Sequence, residues 1–258
     1  MRADAGLRRP HPTRLTITWL GHSTTLVETA AARVITDPLL RNRVAHLRRV
    51  APPVSPVVAI DAILISHAHR DHLDLPSLHR LPRVPVVVPR GVGSVLRRAG
   101  FGEIIEVVPG DELELGGLRI VATAADHDSR RGLRKSDARA VGYVIGDEPR
   151  TYFAGDTDLI DEMHELHGQI DVALLPISGW GPRVPEGHLD PVRAALAVQR
   201  IEPRMCIPIH WGTYRPLYRR TPYAADETAA ARFSAIVESL TPEVEVRILQ
   251  PGERFTTP

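Results

Sequence analysis

A dense group of metal-capable side chains directly follows a short apolar run at 62–65, and its spacing limits the folds open to this chain. The group is His67, His69, Asp71 and His72. Imidazole and carboxylate are the ligands that Zn²⁺, Mn or Fe use without thiolate. Side chains two apart in an extended segment point the same way, so His67 and His69 can share one metal ion. If the chain then turns into a helix, Asp71 and His72 reach a second ion. The spacing favours a metal site over a solvated histidine-rich loop.

Metal-capable residues also follow three other strand-like runs. His127 follows 118–124, Asp156 follows 151–154 and His210 follows 205–209. Each residue alone is typical of a cap or a surface position. Together with the cluster at 67–72 they provide enough donors for two metal ions.

The order of the elements indicates an α/β fold. Strands are predicted at 15–19, 24–28, 34–36, 62–65, 84–88, 104–108, 113–115, 118–124, 141–145, 151–154, 172–176, 205–209 and 244–249. Helices are predicted at 74–80, 93–99, 158–166, 191–199 and 224–240. Strands come first in hairpin runs and then alternate with helices, which favours a layered sandwich of two sheets over a doubly wound parallel sheet. We expect a flexible tail at 1–13, a single domain at 14–258 and a long surface loop at 41–59.

Composition excludes several classes of protein. The 258 residues are 43% hydrophobic and 24% charged, as in ordinary globular proteins. The formal net charge of +1 gives no excess for binding nucleic acid, so no nucleic-acid partner is expected. The single cysteine, Cys206, excludes a disulfide framework and a thiolate zinc knot. No apolar run approaches the roughly 18 residues of a transmembrane segment. The N-terminus has no apolar region typical of a secretory signal, so we expect a cytoplasmic protein.

The motifs resemble those of the metallo-β-lactamase superfamily from about residue 15 to about residue 250. They occur in the same order: Gly21-His22-Ser23, Thr36-Asp37-Pro38, His67-x-His69-x-Asp71-His72, His127, Gly155-Asp156-Thr157 and His210. The resemblance implies a four-layer αββα sandwich with a dinuclear site along one edge of the sheets. The segments 18–24, 187–191 and 209–213 are most similar to the branch of N-acyl-phosphatidylethanolamine phospholipase D-like and ascorbate-6-phosphate lactonase-like enzymes.

This resemblance implies a ligand set for two divalent metal ions, with zinc expected and Mn or Fe as alternatives. The first ion would be bound by His67, His69 and His127. The second would be bound by Asp71, His72 and His210, and Asp156 would bridge the two. A hydroxide that bridges the ions would then be the nucleophile of a hydrolase.

Other residues are expected to support this reaction. Asp71 would also help to orient the water as a catalytic residue. His188 would contact the substrate or protonate the leaving group, although it could merely begin the helix at 190–191. His22 and Asp37 are expected to brace the metal ligands by hydrogen bonding.

The expected substrate is a small or lipid-like anionic molecule with a phosphodiester, and Trp180 and Arg183 are predicted to bind it. A lactonase acting on a small phosphorylated lactone is the alternative enzyme, and a non-catalytic metal-binding module is the alternative of another class. The arginine-rich segments 41–49 and 214–220 are either solvated loops or contacts for substrate or membrane. The physiological substrate, the metal and the oligomeric state stay open.

Overall fold

Two seven-stranded sheets form the centre of the molecule. The structure is a computed structural model that describes residues 14–54, 57, 59–128, 138–179, 184–217 and 224–257. In the last of these segments the side chains are described from residue 228 onward. Strands are numbered in chain order. The first sheet contains, from edge to edge, β17 (Arg254–Thr256), β1 (Thr16–Gly21), β2 (Thr24–Glu28), β3 (Arg33–Thr36), β6 (Ala62–Leu64), β7 (Val86–Pro89) and β8 (Ile104–Val107). The second contains β16 (Glu245–Val246), β14 (Met205–Ile209), β13 (Val172–Pro176), β12 (Thr151–Phe153), β11 (Val141–Ile145), β10 (Leu118–Ala124) and β9 (Glu112–Leu115).

Helices cover the outer faces of both sheets. They are α1 (Leu75–Leu78), α2 (Gly93–Arg98), α3 (Pro191–Ile201) and α4 (Ala224–Leu240). The central strand β6 shows why helices are needed there. Its side chains alternate between the core that lies between the two sheets and a second core on the outer face. Leu64 packs between the sheets with Leu174, whereas Ile63 packs outward with Leu96 of α2. On the far side, α3 and α4 pack against each other and against the second sheet. The predicted four-layer αββα sandwich is confirmed.

Strand direction determines where the site forms. β1, β2 and β3 are antiparallel, as predicted. β3, β6, β7 and β8 run parallel to one another, and so do β12, β13 and β14. The carboxyl ends of parallel strands meet at one edge of a sheet, so residues that follow β3 and β6, or β12 and β14, are brought together.

Three local predictions need correction. The segment 41–59 is not only a loop, because β4 (Arg43–Val44) and β5 (Leu47–Arg49) lie within it and form a third sheet with β15 (Tyr214–Pro216). The helix predicted at 158–166 is a 3₁₀ helix at Asp161–Leu166. Strand β17 was not predicted, since three residues of mixed polarity carry no alternation signal; it is specified by pairing with β1.

The remaining predictions concern the helix at 74–80, the N-terminal tail, the single domain and membrane-spanning segments. The helix predicted at 74–80 is shorter than expected, but Asp74 caps it as predicted, because its side chain accepts a hydrogen bond from Ser77 N. The tail at 1–13 lies outside the described residues, and the assignment of 14–258 to one domain stays a prediction. Among the described residues, no helix has the length and apolar character needed to cross a membrane.

Candidate metal centre

Parallel strands deliver the site residues to neighbouring positions. Asp37 follows β3 and His67 follows β6 in the first sheet. Asp156 follows β12 and His210 follows β14 in the second sheet. All four side chains are almost fully buried, so the strand ends form a polar cluster between the layers.

Three imidazoles converge on one point, and we call His67, His69 and His127 the three-imidazole group. His69 Nδ1 lies 3.1 Å from His67 Nε2 and 3.0 Å from His127 Nε2. His67 is buried, whereas His69 and His127 are partly exposed. The group therefore has an open side.

Hydrogen bonds at the far side of two rings indicate which nitrogens carry protons. His127 Nδ1 donates to the carbonyl oxygen of Gly187 at 2.8 Å. His67 Nδ1 donates to Ser66 Oγ at 2.9 Å, and that hydroxyl donates to Asp37 Oδ2 at 2.5 Å. This assignment, made from the chemistry of the partners, leaves lone pairs on His67 Nε2 and His127 Nε2. Both lone pairs face His69 Nδ1, whose one proton can satisfy only one of them.

A metal ion fits this geometry. Three nitrogens that bind one zinc ion at 2.0–2.1 Å in a tetrahedral arrangement are separated by roughly 3.3–3.4 Å. The observed separations of 3.0 and 3.1 Å are close to that value. Burial lowers the pKa of all three histidines, that of His127 to about 4, which keeps them neutral as ligands must be.

Beside it lies a second cluster, the mixed group, which contains His22, Asp71, His72 and His210. One donor atom of each residue lies within 4.8 Å of the others. Asp71 Oδ2 lies 3.3 Å from His22 Nε2 and 3.8 Å from His72 Nε2. The three histidines are buried, and Asp71 is 16% exposed.

Asp156 connects the surrounding histidines. Its Oδ2 lies 3.2 Å from His72 Nε2 and 3.4 Å from both His210 Nε2 and His188 Nε2. Its other oxygen, Oδ1, is buried without a hydrogen-bond partner among the described residues. A buried carboxylate oxygen without a donor is costly unless a cation satisfies it. A donor atom of Asp156 also lies within 4.8 Å of one of His127, so Asp156 lies between the two groups.

Electrostatics in the mixed group favour a positive charge. Burial acts to lower the pKa of His72, but the carboxylates of Asp156, Asp37 and Asp71 outweigh it and raise that pKa well above its usual value. Burial likewise acts to raise the pKa of Asp156, and the neighbouring His210 and His72 outweigh it and hold that pKa well below the usual range. The same negative field that holds a proton on His72 favours a divalent cation.

Asp37 fixes the orientation of ligands in both groups. Its Oδ1 accepts from Ser66 N at 2.7 Å, and its Oδ2 accepts from Ser66 Oγ and from His72 Nδ1, the latter at 2.7 Å. The bond from His72 leaves that ring's Nε2 facing the centre. One buried carboxylate thus acts directly on His72 and through Ser66 on His67.

Several of these residues adopt a strained backbone conformation. His22, Asp37 and His210 adopt left-handed φ values of 54°, 33° and 61°. Gly155 precedes Asp156 with φ of 63°, and a Cβ there would lie 2.5 Å from Ser66 Cβ. Only glycine permits this close approach of the two strand ends.

Hydrogen bonds fasten the turn after β1 to the loop after β14. His210 N donates to His22 O at 2.9 Å, and Trp19 Nε1 donates to the same oxygen at 2.8 Å. His22 N donates to Thr213 Oγ1, and the rings of Trp19 and Trp211 stack with centroids 5.2 Å apart. The mixed group therefore spans both sheets.

The structure brings together most of the residues singled out from the sequence. They are His22, Asp37, His67, His69, Asp71, His72, His127, Asp156, His188 and His210. His188 is 14% exposed at the edge of the cluster. Trp180 and Arg183 lie outside the described residues. Sequence reasoning gave no role to Ser66 or to the carbonyl of Gly187; the position of Ser66 directly before His67 was the one available signal.

Comparison with known proteins agrees with this geometry. The family profile described as a β-lactamase superfamily domain matches residues 32–211. A UPF0173 metal-dependent hydrolase of Methanopyrus kandleri is 34% identical over 247 residues, covering 93% of this chain and 98% of the relative. An N-acyl-phosphatidylethanolamine-hydrolyzing phospholipase D of Caenorhabditis elegans is 31% identical over 76% of this chain and 64% of its own length.

Further relatives and a solved structure extend this picture. An uncharacterized protein of Mycobacterium tuberculosis is 35% identical over 83% of this chain, which spans only 63% of that relative's length. The structure of a metallo hydrolase from Ignicoccus hospitalis superposes with a TM-score of 0.72 and 27% identity, covering 95% of this chain and 99% of that one. With the histidine and aspartate clusters described above, these matches show that the chain belongs to the metallo-β-lactamase superfamily.

Proposed function

We propose that the chain binds two divalent metal ions and hydrolyses a phosphodiester. The three-imidazole group would hold the first ion. Asp71, His72 and His210 would hold the second, with Asp156 shared between them. The observation that carries this proposal is the position of Asp156 between the two groups. Its carboxylate lies within 4.8 Å of a donor atom of His127, and its Oδ1 is buried with no hydrogen-bond donor among the described residues.

Two such ions, when bound, supply an activated water and polarise the oxygen of the scissile group. The chain's own residues then orient the substrate and move protons. Asp71, partly exposed, is placed to accept a hydrogen bond from the attacking water, and His22 at 3.3 Å braces its carboxylate. His188 Nε2, at the exposed edge 3.4 Å from Asp156, is the proton donor for the leaving group.

The donor set and the relatives support the choice of metal and substrate. Imidazole and carboxylate without thiolate suit zinc, with Mn or Fe as alternatives. A phosphodiester is the bond cleaved by the phospholipase D named among the relatives, and we extend that substrate class to this chain. Binding of the substrate by Trp180 and Arg183, and a cytoplasmic location, stay predictions.

The test is hydrolysis of bis(p-nitrophenyl) phosphate after the protein has been stripped of metal and reloaded with Zn²⁺ or Mn²⁺. Asp156→Ala is the test variant, and Asp147→Ala, which removes an exposed carboxylate paired with Arg119, is the matched control. We expect two ions per chain and metal-dependent turnover in the wild type and control. We expect Asp156→Ala to lose an ion and its turnover.

The outcomes separate the parts of the proposal. Two bound ions without turnover would overturn the phosphodiesterase assignment, and hydrolysis of a phosphorylated lactone by the same sample would replace it with a lactonase. Two bound ions with no hydrolysis of either compound would favour a binding module. Failure to bind metal would overturn the proposed centre itself.

A further inference from the structure

The small third sheet presents a row of arginines on one face. In this sheet Arg43 pairs with Arg48, and Arg48 pairs with Arg215. Residues directly opposite in antiparallel strands project from the same face with Cβ atoms roughly 4.5–5.5 Å apart. The three side chains, here called the arginine row, therefore leave the same face of the sheet, although Nε of Arg215 itself is buried.

The opposite face of the same sheet is apolar and buried. Val44, Leu47 and Tyr214 pack there with Leu39 in a small core of their own. Because side chains alternate along a strand, this buried face fixes the arginine row on the outer side. Arg43 and Arg48 are exposed, and Arg215 is partly exposed.

Two neighbouring arginines are bonded within the fold. Arg41 binds the carboxylate of Asp74 through two hydrogen bonds of 2.8 and 2.5 Å. Arg49 donates to the carbonyl oxygens of Leu20 and Pro52. In the part of the chain that the structure describes, no carboxylate forms an ion pair with the arginine row. Like charges directly opposite in a sheet are destabilising, so an external anion would relieve a cost that the fold leaves in place.

Two exposed aliphatic side chains flank the row. Val50 is 47% exposed and follows β5, and Leu217 is 40% exposed and follows β15. They are the two most exposed large hydrophobic residues in the described part of the chain. Both lie an even number of residues from an outward arginine, Val50 from Arg48 and Leu217 from Arg215, so both continue the outer face.

We propose that this face binds the surface of an anionic phospholipid bilayer. Arginines can bind lipid phosphates while Val50 and Leu217 enter the boundary between headgroups and acyl chains. The aliphatic flanks distinguish this occupant from a nucleic acid, whose bases would call for aromatic stacking or groove-reading side chains. The proposal is independent of the metal centre.

The experiment is cosedimentation of the full chain with vesicles of phosphatidylcholine alone and with added phosphatidylglycerol. We expect binding only to the anionic vesicles, and weaker binding as salt is raised. In the triple variant Arg43→Gln, Arg48→Gln and Arg215→Gln, affinity should fall about fivefold per arginine, roughly a hundredfold in total.

A matched control removes the same amount of charge elsewhere. Arg97→Gln, Arg119→Gln and Arg247→Gln neutralise three arginines that are each paired with a glutamate on other parts of the surface. We expect this control to bind vesicles nearly as well as the wild type. Equal losses in the two triple variants would overturn the proposal, because net charge alone would then explain binding.

A second variant tests the aliphatic flanks and does not depend on folding of the first. Val50→Ser with Leu217→Ser should weaken binding to anionic vesicles while its salt dependence stays that of the wild type. Binding unchanged in this variant would overturn the membrane-surface assignment. So would a wild type that ignores anionic vesicles, and binding to a DNA duplex instead would point to a nucleic-acid surface.

Discussion

The three-imidazole group and the mixed group lie side by side but are built differently. Two members of the first come from one short segment, and two of its three rings are partly exposed. The mixed group takes residues from three separate segments, buries all three of its histidines and places two of them in left-handed backbone. Burying charged residues and holding strained backbone both cost free energy. The surrounding fold therefore has to supply more stabilising free energy to the mixed group than to the three-imidazole group.

What the two groups share is as informative as what separates them. Asp37 acts on His72 directly and on His67 through Ser66. Asp156 lies between the two groups, and Gly155 lets the end of its strand approach Ser66. We therefore expect that substitutions at these shared residues weaken metal binding in both groups. A substitution at a residue that hydrogen-bonds to one group only should weaken metal binding in that group.

Gly155→Ala should have the largest effect on stability. The new Cβ would lie 2.5 Å from Ser66 Cβ, and the residue would have to keep φ of 63°. Overpacking and left-handed strain together should lower the free energy of unfolding by about 3 kcal/mol. Gly168→Ala is the control, since its φ is 66° and its Cβ would meet open space, and it should cost about 1 kcal/mol. Equal losses in urea unfolding would show that the two strand ends are less tightly joined than described.

The sequence predicts the members of both groups better than the contacts that orient them. Alternation and strand order were sufficient for the sandwich, and the spacing from His67 to His72 pointed to metal chemistry. The contacts of Ser66 and of the Gly187 carbonyl were not predictable, because they depend on how distant loops meet. The strands β4 and β5 were missed for a related reason. β5 pairs with β15, more than 160 residues away, and β4 pairs, among the described strands, only with β5, so neither strand is specified by its local sequence.

Asp37→Asn should weaken both metal sites. The amide keeps one acceptor but places an NH₂ group against Ser66 or His72, so the ring of His72 loses the charge that orients it. Loss of such a partner typically lowers metal affinity 10–100-fold. The measurement is competition with a chromophoric chelator, and Asp61→Asn, whose carboxylate binds Arg33 N at the surface, is the control. A lower affinity for one ion alone would contradict the shared role of Asp37.

Ser66→Ala should separate the two groups. It removes the hydroxyl that accepts from His67 Nδ1, while Asp37 keeps its hydrogen bonds from Ser66 N and His72 Nδ1. We expect about tenfold weaker binding of the ion held by the three imidazoles, at the low end of the usual range for such partners, and little change for the other ion.

The same competition assay measures this difference if the two ions are released at distinct chelator concentrations. Ser77→Ala is the matched control, because Ser77 is also buried and also donates to an aspartate, Asp74, but on α1. Equal weakening of both ions in Ser66→Ala would mean that the hydroxyl acts mainly on Asp37. Ser66 would then not serve the three-imidazole group alone. The hydrogen bond from His127 to the carbonyl of Gly187 would be the remaining contact that orients a ring of this group without involving Asp37.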